Sequence, residues 1–496
     1  HPFGCFFYIN ASYIYFIKIL KMLKDYKYFL PVYSFILLGS ISFLGLSFFW
    51  NHSIYDYWRI LQVTLMTFSF IIAYFFIKEP IVISKSKLIG SVALLTLAIL
   101  SVTHAQDYLI AIIDGCQIII LIGYGFILIQ LKKYIDTPAL ENAIAIMVLI
   151  PLYVVCWVFL GYYLLWQKNI PLDWHGLFPN IRMYDDALLP CLWLLWYSPG
   201  FLKKYNKTLI IISSLYLLAL WLDAARANWL SIIIGITIIG IAYRPNYQQI
   251  FKPVISIVLS FIWYSFFLLF QAFVINGSAV NDNALNSIIA NNYTVVRGDD
   301  FARWKMWVGA FYTWLENPIL GIGGGNFILL DNKISLNFGH PHNLFVQLVV
   351  EWGITGIILV FMILFMFYQL TLKRHRIPII LFGGCFSLLF NALLSGAFVY
   401  PISQILTVFF FSFTFSKINT IETGVKNFSN KYTLQKNNNQ KVYSVNVAVI
   451  GILAFCIMIF TIIYDVSMNE FTTNDGQTST GPRFWINAYA THWQIN

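Results

Sequence analysis

Apolar and polar positions along this chain alternate in long blocks rather than residue by residue. Apolar runs bounded by short polar breaks recur from residue 29 to residue 464. They approach the roughly 20 residues that an α-helix needs to cross a bilayer. The pattern predicts about thirteen such helices, at 29–50, 58–77, 88–105, 108–131, 143–166, 186–202, 208–223, 227–243, 253–275, 344–370, 377–396, 397–415 and 443–464. The sequence lacks the short alternating segments of a transmembrane barrel. The expected fold class is all-α, a polytopic membrane protein with about 12–13 transmembrane helices and one long loop.

Three stretches interrupt the apolar blocks. Residues 167–185 form a short loop. Residues 276–343 form a long one, and loops of that length usually have a function. Residues 416–442 are rich in Asn and Lys and read as a flexible linker. Inside the long loop, Phe301–Leu315 has helical periodicity, with Asp299 or Asp300 as N-cap and Pro318 as stop. Trp304, Trp307, Phe311 and Trp314 recur on it at three- and four-residue intervals, as expected of a helix lying at headgroup level or walling a lipid-linked substrate. Gly321, Gly323, Gly324 and Gly325 follow as a tight turn that could also approach a phosphate. No Lys-Ser/Thr completes a nucleotide loop there.

Charge then orients the helices. Cytoplasmic loops concentrate Lys and Arg. With the N-terminus inside, more than two thirds of the 31 basic residues fall on the cytoplasmic side, while two thirds of the 21 acids fall outside. The net charge of +10 is thus an orientation signal, and no nucleic-acid partner is implied. A hydrophobic fraction of 59% with 10% charged residues excludes a water-soluble domain. Residues 1–21 precede the first methionine, Met22, and lack a small-residue cleavage site after a basic segment, so no signal peptide is expected. The six cysteines lie in apolar stretches without metal-ligand or redox spacing and read as packing residues.

Against this orientation, the basic residues left outside need a reason. Arg182 precedes the sixth span, Arg226 sits in the short break between the seventh and eighth, and Arg303 opens the aromatic helix. A charge at bilayer depth costs about 2.5–3.5 kcal/mol even on lenient scales, so such residues face a cavity or a partner. An anionic headgroup is the natural partner, because Arg grips phosphate oxygens bidentately. The alternatives are local: Arg226 could pair with Asp223, and Arg182 with Asp185 or Asp186. His342 and Asn343 stand where the long loop re-enters the membrane. His340 lies two residues earlier, but no Cys, Asp or Glu cluster completes a metal site, so neither metal nor cofactor is expected. Glu351 lies within the tenth span and is expected to orient an Arg or His. Asp114, also within a span, has no assigned role.

His342-Asn343, followed by Gly353-x-x-Gly356, resembles the signature of the O-antigen ligase superfamily. That superfamily includes the O-antigen polymerases and the bacterial protein O-oligosaccharyltransferases. Arg303-x-x-x-Trp307-x-x-Ala310 and Asn317-Pro318 through Gly321-Ile-Gly323 match the same block in order and spacing. Arg226 resembles its beginning. The resemblance covers about residues 208–370. It divides the chain into N-terminal helices (1–207), a core block (208–370) that includes the loop 276–343, further helices (371–415), the linker (416–442), and a last helix with an outer tail (443–496).

The resemblance implies a GT-C-like, metal-independent, inverting glycosyltransferase in the bacterial inner membrane, with its active site facing the periplasm. Its donor would be a glycan on undecaprenyl diphosphate, bound by Arg182, Arg226 and Arg303, the last two being the firmer carry-overs. His342 would be the general base, supported by Asn343, Glu351, Gly353, Gly356 and His340. Lipid A-core is the expected acceptor. A pilin or other exported protein, or a second carrier-linked unit, would make the chain an oligosaccharyltransferase or a polymerase. A flippase for the same lipid-linked sugar is the alternative from another class. It would call for repeated halves and midplane ionisable groups; no repeat is visible, and Asp114 and Glu351 are the only acids away from the span ends.

Overall fold

The computed structural model describes residues 54–76, 81–131, 137–166, 181–243, 249–277, 299–327, 340–429 and 442–468. Thirteen α-helices lie among these residues. In chain order they are α1 (Ile54–Phe76), α2 (Lys85–His104), α3 (Tyr108–Leu131), α4 (Thr137–Trp166), α5 (Ile181–Tyr197), α6 (Asn206–Leu222), α7 (Arg226–Ala242), α8 (Phe251–Gly277), α9 (Asp299–Glu316), α10 (Leu344–Leu372), α11 (Ile379–Leu394), α12 (Pro401–Ser429) and α13 (Val447–Met468). Every expected span from 58–77 onward falls on one of them, and the span 29–50 lies outside the described residues. Among the described residues, five helices are long and apolar enough to cross a membrane by length and composition.

The helical architecture carries one small addition. Strands β1 (Ile81–Ser84) and β2 (Val442–Val445) pair antiparallel, Ile81 opposite Val445, and tie the entry of α2 to that of α13. A second departure concerns α12, which runs on to Ser429 through the first half of the stretch expected to be a linker.

Helix α5 is the axis of the packing. Almost all of its side chains from Met183 to Trp196 are buried, and it touches α4, α6, α7, α11 and α12. The sequence foreshadows this, because Ile181–Tyr197 is apolar around most of its circumference beyond its first turn, as an enclosed helix must be. Around it, α7 packs on α11, α6 on α8, and α3 on both α12 and α13. At the α7–α11 contact, small residues let the backbones meet: a Cβ on Gly235 would lie 2.8 Å from the Gly383 carbonyl oxygen.

Contacts sort the helix ends into two groups. At one end, Glu141 at the start of α4 takes Lys203 (2.8 Å), Lys417 (2.7 Å) and the Tyr197 hydroxyl (3.1 Å), drawing α4, α5 and α12 together. At the same end the Tyr243 hydroxyl donates to the Arg374 carbonyl (2.5 Å), and Lys252 reaches Ser198 and Asn206. This is the Lys/Arg-rich end that the orientation rule assigns to the cytoplasm. The start of α5, the α6–α7 turn, the starts of α9 and α10 and the end of α11 meet at the other.

Candidate active site

The residues 340–343 form a tight, held turn. His340 is buried, and its Nδ1 accepts the His342 backbone N–H at 3.1 Å. Its proton, in the neutral ring, is therefore on Nε2. The two imidazoles lie 4.0 Å apart between centroids, and the Tyr400 ring meets His340 edge-on at 5.8 Å. His342 has φ +50°, a left-handed conformation uncommon for a side chain of this size. Such a residue persists only where its surroundings hold it. Part of the hold comes from α9, whose Trp307 indole donates to the Pro341 carbonyl at 2.7 Å.

Asn343 has a different task from its neighbour. Its side-chain oxygen accepts from Phe345 N–H (2.9 Å) and Val346 N–H (3.1 Å), which makes it the N-cap of α10. The His-Asn pair is thus one residue presented to the site and one that starts the helix behind it.

Charge surrounds His342. Arg303, on the second turn of α9, donates to the Leu394 carbonyl at the end of α11 (3.2 Å). Arg182, on the first turn of α5, donates to the Ala224 carbonyl (3.5 Å) and stands 3.8 Å from Asp185. Burial of the imidazole, and then the positive charges of Arg303 and Arg182, pull the pKa of His342 down from 6.5 to about 3. The structure brings these three together. Arg226 is exposed at the first residue of α7, and its backbone N–H shares the Ala224 carbonyl with Arg182. Arg182, the weaker assignment by resemblance, therefore joins Arg303 in lowering the pKa of His342.

Behind the turn, α10 is broken. Gly353 has φ 54° and ψ −128°, so the helix is interrupted between Trp352 and Ile354. Backbone groups freed inside an apolar environment must find partners. They find them in the segment after α9: Ile322 N–H donates to Val350 O (3.1 Å), Gly323 N–H to Glu351 O (2.9 Å), and Ile354 N–H to Ile319 O (2.9 Å). The two chains approach so closely that a Cβ on Gly321 would lie 2.5 Å from the Glu351 oxygen, and one on Gly353 would lie 2.4 Å from the Ile319 oxygen. This explains Gly321 and Gly353 without reference to substrate. Gly356 follows one turn beyond the break, where a Cβ would run into the Leu348 carbonyl. Glu351 is fully buried at the break.

The glycine turn departs from one expectation. Gly323, Gly324 and Gly325 are buried against Ala105, Trp352, Asp114 and Ile110, so the turn is a packing element and not an open phosphate cradle. Asn326 pins it to the α2–α3 corner through the Asp107 backbone (2.9 and 3.1 Å). The aromatic stripe of α9 also divides. Trp307 and Trp314 pack with Met306, Ala310, Phe327 and Val350, whereas Trp304 and Phe311 are exposed. Only the second pair presents the free face expected of an interfacial helix.

Two features escaped the sequence. Arg59 in α1 is buried and donates to Gln62 (2.6 Å), Gln404 (2.8 Å) and the Val399 carbonyl (2.7 Å), in a network that Gln117 joins. Asp185 and Asp186 are buried inside α5 beneath Arg182. Their spacing of three and four residues from Arg182 is the available signal for a local pairing, which Asp185 makes, but it does not reveal their burial. Among the described residues no group of three or more His, Cys, Asp and Glu could hold a metal ion.

The fold and site together define a multi-pass helical membrane protein with a histidine held beside arginines at one end of its bundle. The family model described as O-antigen ligase matches residues 211–361, from within α6 into α10, and supports the resemblance to the O-antigen ligase superfamily over that part of the chain. That match supports a ligase- or polymerase-type function in general. No curated protein matches the chain.

Proposed function

We propose that this chain transfers a glycan from undecaprenyl diphosphate to lipid A-core at the periplasmic face of the bacterial inner membrane, with His342 as general base. The observation that carries this reading is the turn 340–343. It holds His342 in a left-handed conformation, where burial and then the charge of two nearby arginines keep the ring neutral.

In the reaction, an acceptor hydroxyl attacks the anomeric carbon of the carrier-linked sugar. Its oxygen forms the new bond, its proton passes to an imidazole nitrogen of His342, and the anomeric C–O bond to the diphosphate breaks. A single displacement inverts the anomeric centre. Arg303 and Arg182 stabilise the leaving diphosphate, and Arg226, exposed at the start of α7, adds a third positive charge at the same end of the bundle. These fixed charges supply what a divalent cation would otherwise supply, so the reaction is metal-independent.

The same arginines tune the base. A ring held near pKa 3 is a weak base while the site is empty. An arriving diphosphate offsets both guanidinium charges and so raises the imidazole's pKa, although burial, the larger cause of its lowering, remains. The donor thereby prepares the base it needs.

Space for the carrier's apolar chain adjoins the turn. A cavity of about 460 Å³ runs between α3, α10 and α12. Leu344 and Gln347 lie at its outer end, with Leu359, Met366, Ile129 and Phe415 further in. Its lining on α10 extends from Leu344 to Phe367, about the length of a bilayer's hydrocarbon core at 1.5 Å per residue.

The test is complementation of a Gram-negative strain that lacks its ligase, with lipopolysaccharide banding and exported-protein glycosylation read together. Long-chain lipopolysaccharide, lost with His342→Ala at equal membrane levels, supports the reading. Glycosylated protein without lipopolysaccharide reassigns the acceptor to protein. Full activity in His342→Ala overturns the general base.

A further inference from the structure

Three elements carry the cationic side of the site, and one buried carboxylate lies where they meet. Asp186 is 1% exposed and sits one helical turn after Arg182 on α5, so the two share a face. Its Oδ2 accepts the Ser395 hydroxyl at 2.6 Å, and its Oδ1 accepts the Asn391 side-chain amide at 2.8 Å. Asn391 lies on the last turn of α11, and Ser395 follows that helix. Between them, Leu394 offers the carbonyl that Arg303 grips at 3.2 Å. On the third side, Asn228 of α7, two residues after Arg226, is buried and donates to the carbonyl of Asp185 at 2.9 Å.

We infer that Asp186 is a positioning residue for the diphosphate-binding arginines: by anchoring the end of α11 to α5, it fixes the distance between Arg303 and Arg182. This rests on the reading of those arginines given above. The geometry is specific. Arg303 belongs to a segment joined to the bundle here through a backbone carbonyl, and that carbonyl sits between the two side chains that Asp186 holds. Burial of a carboxylate among helices is costly without hydrogen bonds, and both of its oxygens receive them from this one helix end. A packing requirement alone would be met by an apolar residue of similar size. The carboxylate supplies direction, since two acceptor oxygens pin Asn391 and Ser395 at once.

The experiment measures binding of undecaprenyl diphosphate and of undecaprenol to the full chain in nanodiscs, for wild type, Asp186→Asn, Ser395→Ala and Arg303→Ala. Undecaprenol has the same apolar chain without the diphosphate, so collapse of the bundle weakens both ligands. Displaced arginines weaken only the diphosphate. Asp186→Asn is expected to raise the Kd for undecaprenyl diphosphate about tenfold or more while leaving undecaprenol unchanged. Ser395→Ala, which removes one arm only, is expected to shift it in the same direction by less, and it carries the test if Asp186→Asn does not fold. Wild-type affinity for the diphosphate in both folded variants, or equal loss of both ligands, overturns the inference. Arg303→Ala separates the two failures. If Arg303→Ala binds normally, the reading of the arginines falls. If Arg303→Ala alone loses the diphosphate, Asp186 has no positioning role.

Discussion

At the scale of single residues, His342 and its neighbours make opposite demands. A general base contributes about 10²–10⁴-fold to a rate, so His342→Ala is expected to lower transfer by at least about 100-fold at unchanged membrane level, as radiolabelled glycan transfer would show. Below pH 6.5 the unfolded chain takes up a proton on the His342 ring and the folded chain does not, so this group costs stability increasingly as pH falls from 6.5 towards 3. For catalysis, kcat/KM reports the free enzyme and kcat the complex. The acidic limb of kcat/KM is therefore expected well below pH 6.5, and that of kcat nearer to it, because bound diphosphate offsets Arg303 and Arg182. Coincident limbs well below 6.5 would show that burial alone sets the imidazole and that the arginines do not act on it. His342 and Arg303 were legible in the sequence because each is a polar residue at an apolar boundary. The pairing of Arg182 with His342 was not, since it depends on how α5 and α10 meet in space.

At the scale of elements, the broken helix α10 is the feature that sequence reading described only in part. Hydropathy gave 344–370 as one span, and the structure begins and ends it within two residues of that. In the sequence the glycines at 353 and 356 are a signature without a mechanical reason. The reason is that a left-handed residue at 353 breaks the helix, and the segment 319–323 satisfies the exposed backbone. No periodicity in either segment encodes that meeting. Gly353→Ala would meet both a positive φ and the Ile319 carbonyl. A strained position of this kind costs about 1–3 kcal/mol. Gly240, with nothing within 4 Å of an added Cβ, is the control, and Gly240→Ala is expected to be neutral or slightly stabilising. Thermal unfolding of the two variants in detergent compares them directly. The cap is a milder case: Asn343→Ala should cost about 1 kcal/mol in the same assay, and Asn343→Asp should restore it.

The whole molecule is a bundle with two chemically distinct ends. Most of its architecture could be read from hydropathy, because a bilayer permits few solutions to backbone hydrogen bonding. The β1–β2 ribbon could not be, since four-residue strands leave no signal beside spans five times their length. The order in which helices surround α5 was equally hidden, because apolar faces alone do not say which neighbour they meet. Orientation follows from the sorting of charges, with Lys203 and Lys417 gathered on Glu141 at one end and Arg182, Arg303 and His342 at the other. Single cysteines in place of Lys204 and Lys305, in a background without the native cysteines, should react with a membrane-impermeant thiol reagent from opposite sides of intact cells. Labelling of both from one side would refute the topology.

The most direct test of the active site is transfer by the purified chain in nanodiscs, with undecaprenyl-diphosphate-linked glycan as donor, lipid A-core as acceptor and a chelator present throughout. Wild type is expected to form product with inverted anomeric configuration, Arg303→Ala to need a higher donor concentration, and His342→Ala to form at least 100-fold less product at saturating donor. Product from His342→Ala at the wild-type rate would contradict the assignment of His342 as the base, and with it the reading of the turn that holds it.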